Sequence, residues 1–188
     1  MQKIPKTLKK SPFTYRQAIA QGLTQAALQS LVDSGNLEHV SRGIYRIADQ
    51  DYSEEDQYRA ATLVIGTPSA ICLISALAHY GVTDLIPKKT WIMVPHTKRS
   101  QHSELKLQRS RSPVWNIGIE SRQGYSITNL ERTIVEAICY RNKIGPSVAI
   151  DALRKAVNSK KTSLSKIMGM AKQLSVLHRV LPYIETLA

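Results

Sequence analysis

Four short polar side chains stand close together in the sequence, in and just before a predicted helix. They are Thr24, Gln25, Gln29 and Ser30. Hydroxyl and amide groups can donate to and accept from base edges in the major groove of DNA, and a glutamine can pair with adenine through two hydrogen bonds. We therefore interpret these residues as sequence-reading contacts with double-stranded DNA.

Basic residues lie on both sides of this segment. Arg42 and Gly43 belong to a predicted turn with a basic tip, whose arginine can enter the minor groove or pair with a phosphate. Further phosphate contacts are predicted at Lys9, Lys10, Arg16 and Arg46. Such contacts position a protein on DNA without reading its sequence. A second interpretation stays open, in which this polar face is solvated and the segment binds another protein.

The densest basic segment of the chain runs from Pro95 to Pro113. Little helical periodicity surrounds its charges, so we expect a loop or a hairpin. Two interpretations stay level: a phosphate-binding surface for DNA or RNA, or a solvated loop. The candidate phosphate-binding residues in this region are Lys88, Lys89, Lys98, Arg99, Lys106, Arg109 and Arg111.

A nuclease is the alternative from a different class of function. Glu104 and Lys106 form half of a metal-dependent nuclease motif, for which Asp84 would be the second carboxylate. That chemistry requires carboxylates at adjoining strand ends, where they hold Mg²⁺ against the scissile phosphate. Three-residue matches occur often by chance, and His96 and His102 have no neighbouring cysteine to complete a zinc site. We therefore expect no enzymatic activity, no metal and no cofactor.

Positioning the DNA-reading residues requires two helices and a hairpin. Thr14 and Thr24 are the predicted N-caps of helices that end near Gln21 and Ser34, each just before a glycine. Two β-rich runs then surround the turn at Arg42. The pattern predicts a winged helix-turn-helix over residues 1–50, preceded only by a short or irregular helix. The residues expected to face inward are Ala18, Ile19, Leu28, Leu31 and Val32.

A polar linker over residues 48–56 separates this domain from a second one, over residues 51–188. The second domain is predicted to be a mixed α+β domain with a small sheet and a helical C-terminal part, so the fold class of the chain is α+β. Ser53 and Ser75 are predicted helix caps, and residues 90–95, 114–120 and 124–127 are predicted strands.

Three further details of this second domain are expected. Thr128 and Glu131 are predicted to form a capping box, and Arg132 is expected to pair with a carboxylate or a carbonyl. The final helical region, from Leu164, is expected to break near Pro182.

Composition agrees with a nucleic-acid partner. The chain has 188 residues, 43% of them hydrophobic, and a formal net charge of +12. The apolar fraction excludes disorder over most of the length, and a basic excess most often indicates nucleic acid. The net charge is +4 over residues 1–50, −4 over 51–85, and +6 over each of 86–125 and 126–188. No signal segment or membrane span is recognised, so we expect a cytoplasmic protein in which Cys72 and Cys139 stay reduced.

Several motifs, taken in order, resemble the AbiEi-type antitoxins. The N-terminal winged helix of that family is similar to GLTQAALQSLVDS followed by GNLEHVSRGIYRI, and later segments of it are similar to ICLISALAHYGVTD and GYSITNLERTIVEAI. The resemblance covers the chain from about Phe13 to Val157. It departs from the family at the N-terminus, where members usually have a clear first helix.

The resemblance implies a bacterial type IV toxin–antitoxin system, of the kind connected with phage abortive infection. In such a system the antitoxin represses its own operon by binding inverted repeats. It also neutralises a nucleotidyltransferase-like toxin, without necessarily forming a stable complex with it. Carried onto this sequence, DNA reading belongs to residues 24–34 and to the wing at Arg42 and Gly43.

Overall fold

The computed structural model describes residues 4–9, 12–100 and 102–186. The chain is α+β and divides into two compact units, Met1–Thr67 and Pro68–Ala188. The sequence-based boundary at residue 50 lies one helix earlier, because the helix after the linker groups with the N-terminal unit. No helix within the described residues is long and apolar enough to cross a membrane.

The N-terminal unit combines three helices with a small antiparallel sheet. After a short 3₁₀ helix at Lys6–Leu8, its elements are β1 (Phe13–Thr14), α1 (Tyr15–Ala20), α2 (Gln25–Asp33), β2 (Leu37–Ser41), β3 (Ile44–Ile47) and α3 (Glu54–Ile65). The strand order is β1-β3-β2. The arrangement is consistent with a winged helix-turn-helix, and β1, which the sequence did not indicate, adds a third strand to the hairpin.

Local capping explains where the helices of this unit begin. The hydroxyl of Thr14 accepts a hydrogen bond from the Gln17 amide, and that of Thr24 accepts one from the Ala27 amide at 3.2 Å. Ser53 caps α3 in the same way, through a capping box with Asp56. These three predicted caps are confirmed, because each depends only on residues within one helical turn.

The predicted inward orientation of Ile19 is wrong. Its side chain is 40% exposed, whereas Ala18 is fully buried. The helix α1 has only six residues, and the core next to it is completed by Leu23, which follows the turn at Gly22. Leu28 and Leu31 are buried as expected, and Val32 is half-buried against the same core.

The C-terminal unit packs helices against a mixed five-stranded sheet of order β6-β5-β4-β8-β7. The pairs β5–β6 and β4–β8 are parallel, and the pairs β4–β5 and β7–β8 are antiparallel. Its strands are β4 (Ala70–Ile71), β5 (Thr90–Pro95), β6 (Leu105–Ser110), β7 (Ile119–Arg122) and β8 (Tyr125–Thr128). Its helices are α4 (Leu73–His79), α5 (Leu130–Cys139), α6 (Arg141–Ile144), α7 (Pro146–Asn158), α8 (Leu164–Gln173) and α9 (Leu177–Glu185).

The central helix of this unit is α5, which is buried along most of its length. Its apolar residues Ile134, Val135 and Ile138 share one core with side chains from α4, α7, α8 and α9. The predicted strand at residues 90–95 is confirmed as β5, with Ile92 and Val94 fully buried. The expectation of a small sheet with a helical C-terminal part therefore agrees with the architecture.

Two predicted caps in this unit are wrong. Ser75 lies inside α4, fully buried, where its hydroxyl accepts a hydrogen bond from the Trp91 amide at 2.9 Å. The cap of α5 is Asn129, whose side chain accepts from the Arg132 amide, and Thr128 belongs to β8. Both serine and threonine hydroxyls are occupied by contacts with distant strands, which local sequence does not reveal.

Three other expectations also need correction. The basic segment contains a strand, β6, which pairs in parallel with β5 over its whole length. The strand predicted at 114–120 begins only at Ile119, because carbonyls before it accept from Arg132 instead. The last helical region breaks at Leu174–Val176, where Ser175 has a left-handed backbone, and α9 continues through Pro182.

Candidate nucleic-acid interface

The predicted reading residues share the solvent face of α2 and its N-cap. Thr24, Gln25, Gln29 and Ser30 are all exposed. The opposite face of the helix is fixed in the core, where Leu28 is 2% exposed. A rigid helix therefore presents a row of hydroxyl and amide groups to solvent, as base-edge reading requires.

Within α2, the side chain of Gln29 is already hydrogen-bonded. The Gln29 side-chain amide donates to the Asp33 carboxylate at 2.8 Å, one turn along α2. Asp33 is the single charged residue of α2. This helix therefore brings no positive charge to a DNA backbone, and Gln29 must exchange its bond to Asp33 before it can pair with a base through both amide atoms.

The hairpin turn carries Arg42 at its tip. Gly43 has a φ of +72°, a left-handed backbone that glycine adopts without strain. Its carbonyl accepts from the Tyr15 amide at 2.9 Å, which ties the turn to the first residue of α1. This hydrogen bond holds the turn in place. The Arg42 side chain is exposed, so its charge stays in solvent.

Arg46, by contrast, is engaged within the unit. Its guanidinium pairs with Glu38, donates to the Gln50 carbonyl at 2.8 Å and lies 4.7 Å from the centre of the Tyr52 ring. Burial, together with the Asp56 charge, raises the pKa of Tyr52 to about 12. A phosphate contact by Arg46 would have to break these interactions.

The remaining phosphate contacts predicted in the N-terminal unit are Lys9, Lys10 and Arg16. Lys9 follows the 3₁₀ helix and Arg16 lies in the first turn of α1, and both are exposed. Lys10 lies outside the described residues. The phosphate contacts predicted at these positions stay predictions.

The central basic residues are mostly exposed. Only Lys98 is half-buried, and its carbonyl accepts from the Arg109 side chain at 3.2 Å. Lys106 lies 5.8 Å from the centre of the Trp91 ring on the neighbouring strand. The other exposed members of the set are Lys88, Lys89, Arg99, Arg109 and Arg111. Both Lys106 and Arg109 therefore present their charge to solvent from an edge strand, β6.

The nuclease residues occupy ordinary surface positions. Both carboxylate oxygens of Asp84 lie 2.6 Å from the Lys155 ammonium, and Glu104 is exposed beside Ser103. Within residues 4–9, 12–100 and 102–186, no three metal-ligating side chains come together. His96 and His102 flank the loop that leads to β6.

Charge is divided very unequally between the two units. Met1–Thr67 has eight basic and seven acidic residues, a net charge of +1. Pro68–Ala188 has eighteen basic and seven acidic residues, a net charge of +11. The acidic start of α3 cancels most of the positive charge that the first fifty residues contribute.

A buried carboxylate and a pocket with two distant arginines, both in the C-terminal unit, were not recognised in the sequence. Arg132 forms a buried pair with Glu136 at 2.9 Å, which confirms the expected pairing but also buries a carboxylate that no local motif indicates. Arg141 and Arg179 line one pocket although they are 38 positions apart. Sequence spacing carries no signal for such a pair, because two separate helices bring the side chains together.

The family comparison covers the helix-turn-helix and the hairpin. Residues 2–48 match the AbiEi antitoxin family. The matching family model is described as "Transcriptional regulator, AbiEi antitoxin", so this segment is similar to regulators of the antitoxin type. The resemblance is thereby confirmed over α1, α2 and the β2–β3 hairpin, while α3 and the C-terminal unit lie outside the match.

Two further comparisons cover the chain as a whole. No curated protein sequence matches it. The crystal structure of the RV2827C protein from Mycobacterium tuberculosis is similar, with a TM-score of 0.64 and 15% sequence identity. The similarity covers 94% of this chain and 75% of that one. At this identity the likeness establishes a shared fold and nothing about function.

Proposed function

We propose that the protein is a DNA-binding autorepressor and antitoxin of a bacterial type IV toxin–antitoxin system, without enzymatic activity of its own. It acts in the cytoplasm, binds an inverted-repeat operator and neutralises a nucleotidyltransferase-like toxin. The observation that carries the proposal is the exposed polar face of α2, followed by a fixed hairpin with Arg42 at its tip, in a segment that matches the AbiEi regulators.

Sequence reading is assigned to α2. Gln25, Gln29 and Ser30 offer amide and hydroxyl groups to base edges, where each good bidentate pair discriminates by about 1–3 kcal/mol. Arg42 contributes from the hairpin, to the minor groove or to a phosphate. Because α2 itself has no cation, its side chains supply discrimination between sequences rather than general affinity for DNA.

General affinity is assigned to the cations outside α2. Each phosphate neutralised by a lysine or arginine releases counterions, so affinity falls steeply with salt. The exposed basic residues on and around β6 are suited to this role, and the C-terminal unit carries +11 of the net charge of +12. Antitoxic activity is also assigned to this unit, without a named residue.

The test measures binding of the protein to DNA that contains the inverted repeats upstream of its gene. Fluorescence anisotropy of the labelled DNA gives the affinity. We expect the double substitution Gln29→Ala plus Arg42→Ala to weaken operator binding by tenfold or more, for a loss of about 2 kcal/mol. Gln57→Ala is the matched control, since Gln57 is an exposed glutamine on α3 outside the predicted contacts. Unchanged operator affinity in the double variant would exclude α2 as the reading helix.

Antitoxicity is tested in cells that express the neighbouring toxin gene. Co-expression of the full chain is expected to restore growth, and the Gln29→Ala plus Arg42→Ala variant is expected to retain this protection while losing repression. Failure to bind any DNA, together with capture of a specific protein, would favour a protein-interaction module instead. Mg²⁺-dependent cleavage that disappears in Glu104→Ala would favour the nuclease.

A further inference from the structure

A basic pocket lies in the C-terminal unit, where the end of α5 and helix α6 meet α9. Its volume is about 370 Å³. The pocket is lined by Cys139, Arg141, Asn142, His178, Arg179, Pro182 and Tyr183. None of these lining residues is acidic, and burial raises the pKa of the Cys139 thiol, so this group stays neutral near pH 7.

Both arginines of the pocket are held in place by the protein. Arg179 donates from Nη2 to the Cys139 carbonyl at 2.6 Å, and Arg141 donates from Nη1 to the Ile138 carbonyl at 3.2 Å. The Arg141 guanidinium also lies 5.2 Å from the centre of the Tyr183 ring. A guanidinium has five N–H donors, so each arginine keeps most of its donors for another partner.

The positive charge of Arg141 and Arg179 exceeds what the C-terminal end of α5 requires. The C-terminal end of a helix carries about half a negative charge, which one cation already offsets. Elsewhere in this unit, Arg122 pairs with Glu120 and Arg132 pairs with Glu136. Within the described part of the chain, neither Arg141 nor Arg179 pairs with a carboxylate. Two anchored guanidinium groups that share a pocket without a counterion favour the binding of an anion.

We propose that this pocket binds a phosphoryl group carried by a nucleotide or by an oligonucleotide. Planar guanidinium groups match phosphate oxygens through paired hydrogen bonds, and anchored side chains lose little entropy on binding. Asn142 and His178, two exposed lining residues, offer further polar groups. This site is separate from the proposed reading helix and does not depend on operator binding.

The experiment is isothermal titration of the full-length protein at constant ionic strength. The probes are AMP, which has a phosphate monoester, and a single-stranded RNA dodecamer without terminal phosphates, which has only diesters. Arg141→Gln plus Arg179→Gln removes both charges, while each glutamine keeps an amide donor for the helix carbonyl. Arg154→Gln is the control, because Arg154 is an exposed arginine of the same unit on α7.

We expect the double variant to bind its probe about tenfold more weakly or worse, since a hydrogen bond to a charged group contributes at least this factor. Arg154→Gln should retain wild-type affinity for the same probe. A variant-dependent signal with AMP identifies a monoester site, and one with RNA alone identifies a diester site. Absence of binding by both probes, or equal loss in the control, overturns the proposal.

A second measurement needs no variant and covers the case in which the double variant fails to fold. The arginine Nε–H resonances of the wild-type protein are followed by NMR during the AMP or RNA titration. Shifts confined to Arg141 and Arg179 support the pocket. Shifts spread over the exposed arginines, Arg154 included, would instead indicate non-specific attraction by net charge and would contradict it.

Discussion

Replacing Arg132 by methionine tests how the C-terminal unit is held together. Arg132 is 1% exposed, and its Nε lies 2.9 Å from Glu136 Oε1. Its Nη1 donates to the Trp115 carbonyl at 2.7 Å and also to the Ile117 carbonyl. Methionine removes every donor, and breaking one side of a buried ion pair costs about 3–5 kcal/mol. Since domains are stable by only about 5–15 kcal/mol, we expect Arg132→Met to remove much of the stability of this unit.

A second substitution isolates the part of this cost that comes from charge. In Arg132→Met the Glu136 carboxylate stays buried without its partner, and its Oε2 already has no hydrogen bond. The double variant Arg132→Met plus Glu136→Leu removes that charge. It still leaves the carbonyls of Trp115 and Ile117 without their donor, and each unpaired carbonyl costs about 1 kcal/mol of stability. We therefore expect the double variant to be about 2 kcal/mol more stable than the single variant near pH 7.5.

The same reasoning fixes a dependence on pH. Burial raises the pKa of Glu136 above its usual 4.5, while Arg132 opposes this rise. A carboxyl whose folded-state pKa is raised loses stability as the pH increases from its unfolded pKa to its folded pKa. Without Arg132 that pKa rises further, so the deficit of the single variant is expected to shrink near pH 5.

Urea unfolding followed by tryptophan fluorescence measures these differences. The chain has two tryptophans, Trp91 and Trp115, and both lie in the C-terminal unit, so the signal reports this unit alone. The comparison is made at pH 7.5 and at pH 5. If the double variant were no more stable than Arg132→Met at both pH values, the buried charge of Glu136 would not be the cause of the lost stability.

Three further sets of substitutions test the capping, the hairpin and the basic surface. Asn129→Ala should lower the stability of the same unit by about 1 kcal/mol, since it removes the cap of α5, whereas Glu131→Gln should change the fluorescence-detected midpoint little. Arg46→Ala should lower the thermal midpoint followed by circular dichroism, through a loss of about 1 kcal/mol, whereas Arg42→Ala should leave that midpoint unchanged and weaken operator binding. Neutralising the central cations should make the slope of log affinity against log salt concentration shallower, as measured by anisotropy titrations. The expected change is up to roughly 0.9 for each phosphate that the variant no longer neutralises. The substituted residues for that slope are Lys98, Arg99, Arg109 and Arg111.

Helix caps show where sequence was sufficient and where it was not. Thr14, Thr24 and Ser53 precede amphipathic segments and act as caps, because capping depends on the next three residues. Ser75 and Thr128 carry the same local signal, yet their hydroxyls bond to the Trp91 amide and the Ile71 carbonyl. Those partners are 16 and 57 positions away, so only the assembled sheet could reveal them.

The two arginines of the hairpin show the same limit at the candidate site. The sequence predicted DNA contacts for both Arg42 and Arg46, because nothing in the local pattern indicates which residue lies opposite Arg46. The structure has a bulge between His39 and Ser41, so Glu38 lies opposite Arg46 and pairs with it. A one-residue irregularity thus gives Arg46 an acidic partner, whereas Arg42, at the tip of the turn, keeps its charge in solvent.

The unequal charge of the two units has a consequence for the proposed repressor. Salt-dependent affinity depends on cations, of which α2 has none, whereas sequence discrimination depends on the neutral Gln25, Gln29 and Ser30. Removing the cations of the C-terminal unit should therefore weaken binding to operator and to random DNA by a similar factor. Changing Gln29 should weaken binding to the operator alone, because random DNA offers this side chain no matching base and leaves it bound to Asp33. The ratio of the two affinities thus separates sequence reading from general attraction, which a single dissociation constant cannot do.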